Sequence, residues 1–327
     1  MATPSLLFWR ELRLSRMILR RMLQIVPLLF VISVISFALV KLSPGDPVKM
    51  FVTPNMHPED VERIRRSLGL NLPIYEQYFR WLGQIVHGNL GYSLQNSQPV
   101  LGQILQRLPA TIGLMGTALA ATLIIAIPLG LVAAKYENTW IDRLLNMISY
   151  ISISIPVFWF GILLIEFFSV KLNWLPSLGM QTIGENSFVD LAQHAILPVT
   201  TLTFQGCGAY YRYVRSNTLS EIRKSYVEFG HAKGLSIWKL LWSHILKNVM
   251  LPVITLLGMS LPTLISGAYI TESVFSWPGL GLLSVDAIFS LDYPIIMAMT
   301  LFSGLMLILG NLFADMTYQF VDPRIRK

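Results

Sequence analysis

The chain has 327 residues, 54% of them hydrophobic and only 13% charged, with a mean hydropathy of +0.57. Soluble domains carry about 25% charged residues, so this composition excludes an ordinary water-soluble fold and points to a chain dissolved in lipid. The formal net charge of +7 invites a nucleic-acid reading, but the bases gather beside apolar segments. The single cysteine, Cys207, excludes a disulfide within the chain and a Cys-rich metal site; in its apolar stretch it reads as a small buried hydrophobe.

A helix needs about 20 apolar residues to cross the hydrocarbon core. Residues 1–21 form a basic N-terminus with Arg10, Arg13, Arg16, Arg20 and Arg21, and 22–40 is the first apolar segment. That run is long for a signal core, and no small-x-small site precedes Lys41-Leu42-Ser43-Pro44, so it reads as a retained helix. Residues 41–110 are too long for a turn and carry their own helical grammar. Pro58, Glu59 and Asp60 open one helix, and Arg63, Arg65 and Arg66 close it before Gly69, as the helix dipole and the Pro-start, Gly-stop preference require. Ile74, Tyr75, Tyr78, Phe79, Leu82, Ile85 and Val86 then recur at helical spacing up to Gly88. This second helix suits packing within the chain, the lipid interface or a partner.

A core of five further spans is expected within 111–314, at 111–134, 147–170, 195–211, 249–271 and 294–314, with 315–327 as a tail. The fold class is therefore an all-α membrane protein with six transmembrane helices. The loop 212–248 carries Arg212, Arg215, Arg223, Lys224, Lys233, Lys239 and Lys247 against Glu221 and Glu228. The tail carries Arg324, Arg326 and Lys327, whereas Glu272, Asp286 and Asp292 stand without bases between spans five and six. Six spans put the three basic regions on one side, which the positive-inside rule makes cytoplasmic. The net charge is thus a topology signal, and nucleic acid is not an expected partner.

Signatures of chemistry are scarce. No G-x-x-x-x-G-K-[ST] stretch supplies a phosphate cradle; Gly83 and Gly88 have the spacing, but Asn89 stands where lysine is needed. Gly279 and Gly281 begin a glycine pattern that Ser284 does not complete. There is no H-E-x-x-H pair, and the histidines at 57, 87, 194, 231 and 244 lack ligand spacing, so no metal site is expected. Polar groups in spans usually face a cavity or a partner. Glu166, near the outer end of span three, is either such a group or an interfacial carboxylate. Span four carries Thr200, Thr201, Thr203, Gln205, Gly206 and Gly208, which suit a pathway or close helix packing equally. Glu272 ends span five, at a vestibule, a partner or a solvated helix end. Gln205, Thr201, Glu272 and Glu166 are the candidates for a translocation pathway.

The loop 212–248 is helix-compatible with a break. Leu219 to Lys233 reads as helix; Gly234 reads as its C-cap and Ser236 as the N-cap of a second helix reaching Leu246. The stretch Glu228-Phe229-Gly230-His231-Ala232-Lys233-Gly234-Leu235-Ser236 resembles the coupling loop of ABC-importer permeases. Its Glu228 and Gly234 match the general Glu-Ala-Ala, three residues, Gly motif, and the two alanines do not. The local form Ala232-Lys233-Gly234-Leu235-Ser236 with His244 and Leu251-Pro252 is similar to the dipeptide/oligopeptide/nickel group. So are Pro44-Gly45-Asp46-Pro47, Gly88-Asn89-Leu90-Gly91-Tyr92-Ser93, Arg107-Leu108-Pro109-Ala110-Thr111, Pro156-Val157-Phe158-Trp159, the run from Glu272 to Gly281, Asp292-Tyr293-Pro294 and Asp322-Pro323-Arg324. Together these resemble the first of that group's two paired permeases.

The resemblance implies a type I importer fold in a bacterial or archaeal cytoplasmic membrane. It implies a second permease as heterodimer partner, two ATP-binding subunits gripping the coupling loops, and an external solute-binding protein. ATP and Mg would sit in the partner subunits, leaving this chain non-catalytic and without a cofactor. Transport would proceed by alternating access, with peptides as the expected cargo. Nickel or a metal chelate is the alternative cargo; an ion-coupled transporter is a different class that would place more ionisable groups in mid-span.

Overall fold

The computed structural model describes residues 25–42, 56–67, 69–185, 187–266 and 268–321. The N-terminal arginines, Pro44-Gly45-Asp46-Pro47 and the tail from Asp322 lie outside the described residues. The chain is helical, and its only β pairing among those residues is an isolated bridge between Tyr92 and Pro99. In order the helices are α1 (Ile25–Leu42), α2 (Pro58–Ser67), α3 (Ile74–Val86), α4 (Val100–Lys135), α5 (Trp140–Ser154), α6 (Val157–Leu164, continued by a π-helical Ile165–Lys171) and α7 (Phe188–Ile222). They continue as α8 (Ser225–Ala232), α9 (Ile237–Leu240), a π turn at Leu241–Ile245, α10 (Leu246–Ser266), α11 (Tyr269–Val274), α12 (Leu280–Phe289) and α13 (Tyr293–Val321). Contacts divide the chain into two units, Met1–Gln106 with Ser284–Leu312, and Arg107–Leu283 with Phe313–Lys327.

Four of these helices are long and apolar enough to cross a membrane, and five if the bent pair α5 and α6 counts as one span. The remaining expected span, the fourth at 195–211, lies on α7. At 35 residues it reaches about 50 Å at 1.5 Å per residue, but its threonines, glutamine and glycines keep it out of the apolar set. The third expected span, 147–170, is not one straight helix: its two halves bend by 102°. Pro156 causes the break, because proline forces the residue before it out of helical geometry, and Ile155 is extended at φ −78°, ψ 127°. The second span begins earlier than the apolar run suggests. Gln103, Gln106 and Arg107 interrupt hydrophobicity but not the helix, which starts at Val100.

In the first unit α1 carries the segment that follows it. Tyr78 is buried on α3, its hydroxyl 2.8 Å from the Ser33 hydroxyl of α1. Its ring meets Phe30 and Phe37 edge-on at centroid distances of 6.3 and 5.4 Å. Of the seven residues of that apolar face only Tyr78 is buried, while Ile74, Tyr75, Phe79 and Val86 are exposed, so packing within the chain takes up one residue of the face. On the other side of α1, Ile32 packs on Gly304 of α13, where an added Cβ would lie 2.8 Å from the Ile32 Cδ1. Two stretches of the unit that are distant in sequence meet directly. Buried Asp292 accepts from the Ser93 hydroxyl and, at 3.2 Å, from the Leu94 N–H, while Gly91 at φ +83° turns the chain into that contact. Asp292→Ala leaves the buried Ser93 hydroxyl and the part-buried Leu94 N–H without this acceptor and is expected to cost about 2–4 kcal/mol, seen as faster hydrogen exchange of the Leu94 amide than in the unmodified chain.

In the second unit small residues set the helix spacing. An added Cβ at Gly208 of α7 would lie 2.1 Å from the Ser152 Oγ and 2.9 Å from the Ser149 carbonyl of α5. One at Gly206 would lie 2.8 Å from the Thr122 Oγ1 of α4, and one at Gly130 would lie 2.6 Å from Val214 of α7. Small side chains let helices approach where no hydrophobic force drives them together. Here they bring α4, α5 and α7 into contact.

Candidate functional site

The loop 212–248 folds in a way the sequence shows only in part. The expected turn is present: Gly234 adopts φ +81°, and the Ser236 Oγ accepts from the Lys239 N–H at 3.4 Å. The flanking helices differ from expectation. The stretch from Leu219 to Lys233 is not one helix, since α7 ends at Ile222 and α8 starts afresh at Ser225. The second helix is not a separate short element; α9 runs through the π turn into α10. Such a wide turn presents more residues to one side, and Leu240, Leu241 and Ile245 are all buried there.

These residues form one core with Leu131 of α4, Val214 of α7, Val227 of α8, and Val249 and Val253 of α10. The helix α8 is only eight residues long, too short to be stable alone. It is held by Val227 and by Gly230, where an added Cβ would come 2.6 Å from the Leu240 Cδ2. Val227 and Gly230 face inward, and the opposite residues face outward. Glu228, Phe229, His231, Ala232, Lys233 and Gly234 are exposed, and Phe229 is 61% exposed with the Lys233 Nζ 4.4 Å from its ring centroid. An added Cβ at Gly234 meets nothing within 4 Å. Its requirement for glycine is therefore conformational: positive φ costs a side-chain-bearing residue roughly 1–2 kcal/mol.

Polar contacts tie the element to its surroundings. The Glu221 carboxylate receives the Lys224 ammonium, the Tyr226 hydroxyl at 2.7 Å and the Asn248 amide at 3.0 Å. Burial pushes Glu221 upward, but these three donors outweigh it and hold the carboxyl below its usual range. Burial and the bond to Glu221 push Tyr226 up to about 12, so it stays a proton donor. Arg223 pairs with Glu137 beyond the end of α4 at 3.0 Å, and the Lys135 Nζ stands 3.9 Å over the Trp238 ring. Sequence reasoning treated Glu221 only as a counter-charge. The available signal was that it is one of two acids among seven bases in 212–248.

The four pathway candidates do not come together. Thr201 is buried, returns its hydroxyl to the Leu197 carbonyl at 2.9 Å, and packs against Gly161 of α6. Gln205 is exposed on α7. Glu166 is half exposed at the π-helical end of α6, 3.6 Å from the Lys171 Nζ. Glu272 departs furthest from expectation. It is 0% exposed, so it is not a solvated helix end. Its carboxylate accepts from the Thr111 hydroxyl at 3.0 Å, the Gly281 N–H at 2.7 Å and the Leu282 N–H at 3.2 Å. Thr111 in turn accepts from the Leu280 N–H at 2.7 Å, and the Trp277 indole donates to the Ala110 carbonyl at 3.0 Å. A carboxylate taken out of water needs such donors. The glycine pattern at 279 and 281 makes room for this carboxylate rather than for a phosphate. Among the described residues, no group of three or more His, Cys, Asp or Glu is placed to hold a metal ion.

Residues 126–327 match the family model described as the binding-protein-dependent transport system inner membrane component, and residues 14–115 match the N-terminal model of such membrane components. The chain is 41% identical over 310 residues to the oligopeptide transport system permease protein AppB of Bacillus subtilis, covering 94% of this chain and 98% of that one. It is 36% identical over 309 residues to the glutathione transport system permease protein GsiC of Escherichia coli, covering 94% and 98%. Among solved structures, the inward-facing MetNI methionine ABC transporter superposes with a TM-score of 0.56 at 17% identity, covering 68% of this chain and 97% of that chain; this likeness shows the fold alone.

Proposed function

The chain belongs to the inner membrane component family of binding-protein-dependent transport systems, and from that membership we propose that this multi-pass permease of an ABC importer passes di- or oligopeptides inward. The peptide assignment follows the cargo in the names of its relatives, an oligopeptide system and a glutathione system; glutathione is itself peptide-like. The chain supplies the path and the grip, and separate ATPase subunits supply the chemistry with their own ATP and Mg. A second, different permease completes the path, and an external binding protein delivers the peptide. Both termini and the loop 212–248 face the cytoplasm, as the distribution of bases argues.

The observation that carries this reading is the mounting of α8. Its buried Val227 and Gly230 join a core shared by α4, α7, α9 and α10, while Glu228 and Phe229 stand outward. A short helix so mounted moves with the spans behind it. An ATPase that draws α8 aside upon binding ATP shifts the balance between outward- and inward-open states by its differential affinity for them.

The test is reconstitution with the subunits encoded beside this chain. The ATPase subunits are expected to co-purify with it, and vesicles holding the complex should accumulate labelled peptide only with ATP and the binding protein present. A complex that assembles and hydrolyses ATP but moves no peptide of two to about ten residues would remove the peptide assignment and leave the importer reading standing.

A further inference from the structure

Three attachments hold α8 and the break before it, and their strengths differ. Packing of Val227 and of Gly230 on Leu240 supplies one line of contact, about which a short helix is free to roll. The Arg223–Glu137 pair is exposed at 72% and 35% of its side chains, and exposed pairs contribute little. The third attachment is Glu221, whose side chain is only 13% exposed. Three donors from three segments converge on this carboxylate: Lys224 from the break after α7, Tyr226 from the first turn of α8, and Asn248 from the first turn of α10. Asn248 also reaches the Tyr226 hydroxyl at 3.3 Å, which closes the ring. Charge-assisted bonds of this kind are about twice as strong as neutral ones. This ring fixes the roll of α8, and so the direction in which Glu228 and Phe229 point.

We propose that Glu221 is the positioning residue of the coupling element: its carboxylate fastens the first turn of α8 to the end of α7 and the start of α10, so that a pull on α8 reaches both long helices together. The inference rests on the reading of α8 as the ATPase grip, and it assigns Glu221 no contact with the ATPase.

The experiment uses the assembled transporter in nanodiscs with Glu221→Ala, Glu221→Gln and Tyr226→Phe. Spin labels at Ser225 on α8 and Ser243 in the π turn, both exposed, report how firmly α8 is held. Glu221→Ala is expected to broaden the distance distribution and to lower peptide-stimulated ATP hydrolysis about tenfold, with ATPase subunits still bound and basal hydrolysis retained. Glu221→Gln keeps one acceptor oxygen and should recover part of the stimulation. Tyr226→Phe removes one bond at almost constant volume and should lie between them. Unbroadened distances and full stimulation in both Glu221→Ala and Tyr226→Phe would overturn the proposal. So would loss of ATPase binding with distances unbroadened, since Glu221 would then be a contact residue. Failure of the underlying reading looks different: the unmodified chain would bring down no ATPase subunits, whatever the distances show.

Discussion

Gly279→Ala is expected to destabilise the purified protein by about 3 kcal/mol or more, read as a lower melting temperature in detergent and a poor yield of assembled complex. The added methyl would sit 2.3 Å from the Glu272 Oε2 and 2.4 Å from the Thr111 Oγ1. Neither atom has room to retreat, because both residues are fully buried. Moving the carboxylate breaks its bonds to Thr111, Gly281 and Leu282 at once. A buried charge stripped of partners costs about 3–5 kcal/mol, which outweighs any gain from the lost flexibility of glycine. Gly102→Ala is the control. It lies within α4, where an added Cβ meets nothing within 4 Å, and it should be neutral or stabilising by up to about 1 kcal/mol. Equal melting of the two variants would show that the Glu272 cluster does not hold this region together.

The second large effect separates the face of α8 from its mounting. Phe229→Ala is expected to weaken ATPase association about 30-fold, the effect of removing an aromatic anchor worth about 2 kcal/mol, with the melting temperature of the isolated chain unchanged because Phe229 is exposed. Gly230→Val should also abolish coupling, by a different route. Its Cβ would meet Leu240 at 2.6 Å, and Leu240 is itself buried in the core behind α8, so α8 is expected to be pried off and stability to fall too. The pair is read by titrating purified ATPase subunits onto the chain and by melting each variant alone. If Phe229→Ala binds ATPase as tightly as the unmodified chain, the outward face of α8 is not the grip.

Much of the fold was legible because its determinants are local. Apolar runs announced α1, α4, α10 and α13, and the acid-first, base-last order of 58–67 announced α2. Gly234 and Ser236 announced their caps because positive φ and a side-chain acceptor are properties of single residues. The same locality explains the misreadings. The bend at Pro156 was hidden inside a continuous apolar run. The start of α4 was hidden by polar residues that helices tolerate.

Roles set by distant partners were not legible. Glu272 looked like a pathway residue because a carboxylate at the end of an apolar helix has no visible partner in sequence; its partner Thr111 lies 161 positions away. Asp292 and Ser93 are separated by 199 positions, and Glu221 and Asn248 by 27. The sequence by itself determined the membrane class, the helices, the basic loop and its turn, since hydropathy and backbone preference act residue by residue. Only the tertiary structure decided that the carboxylates of Glu272, Asp292 and Glu221 are fasteners and that α8 turns Glu228 and Phe229 outward. The reason is physical: a carboxylate withdrawn from water, wholly or in part, takes its role from the donors that surround it, and those are brought together by folding.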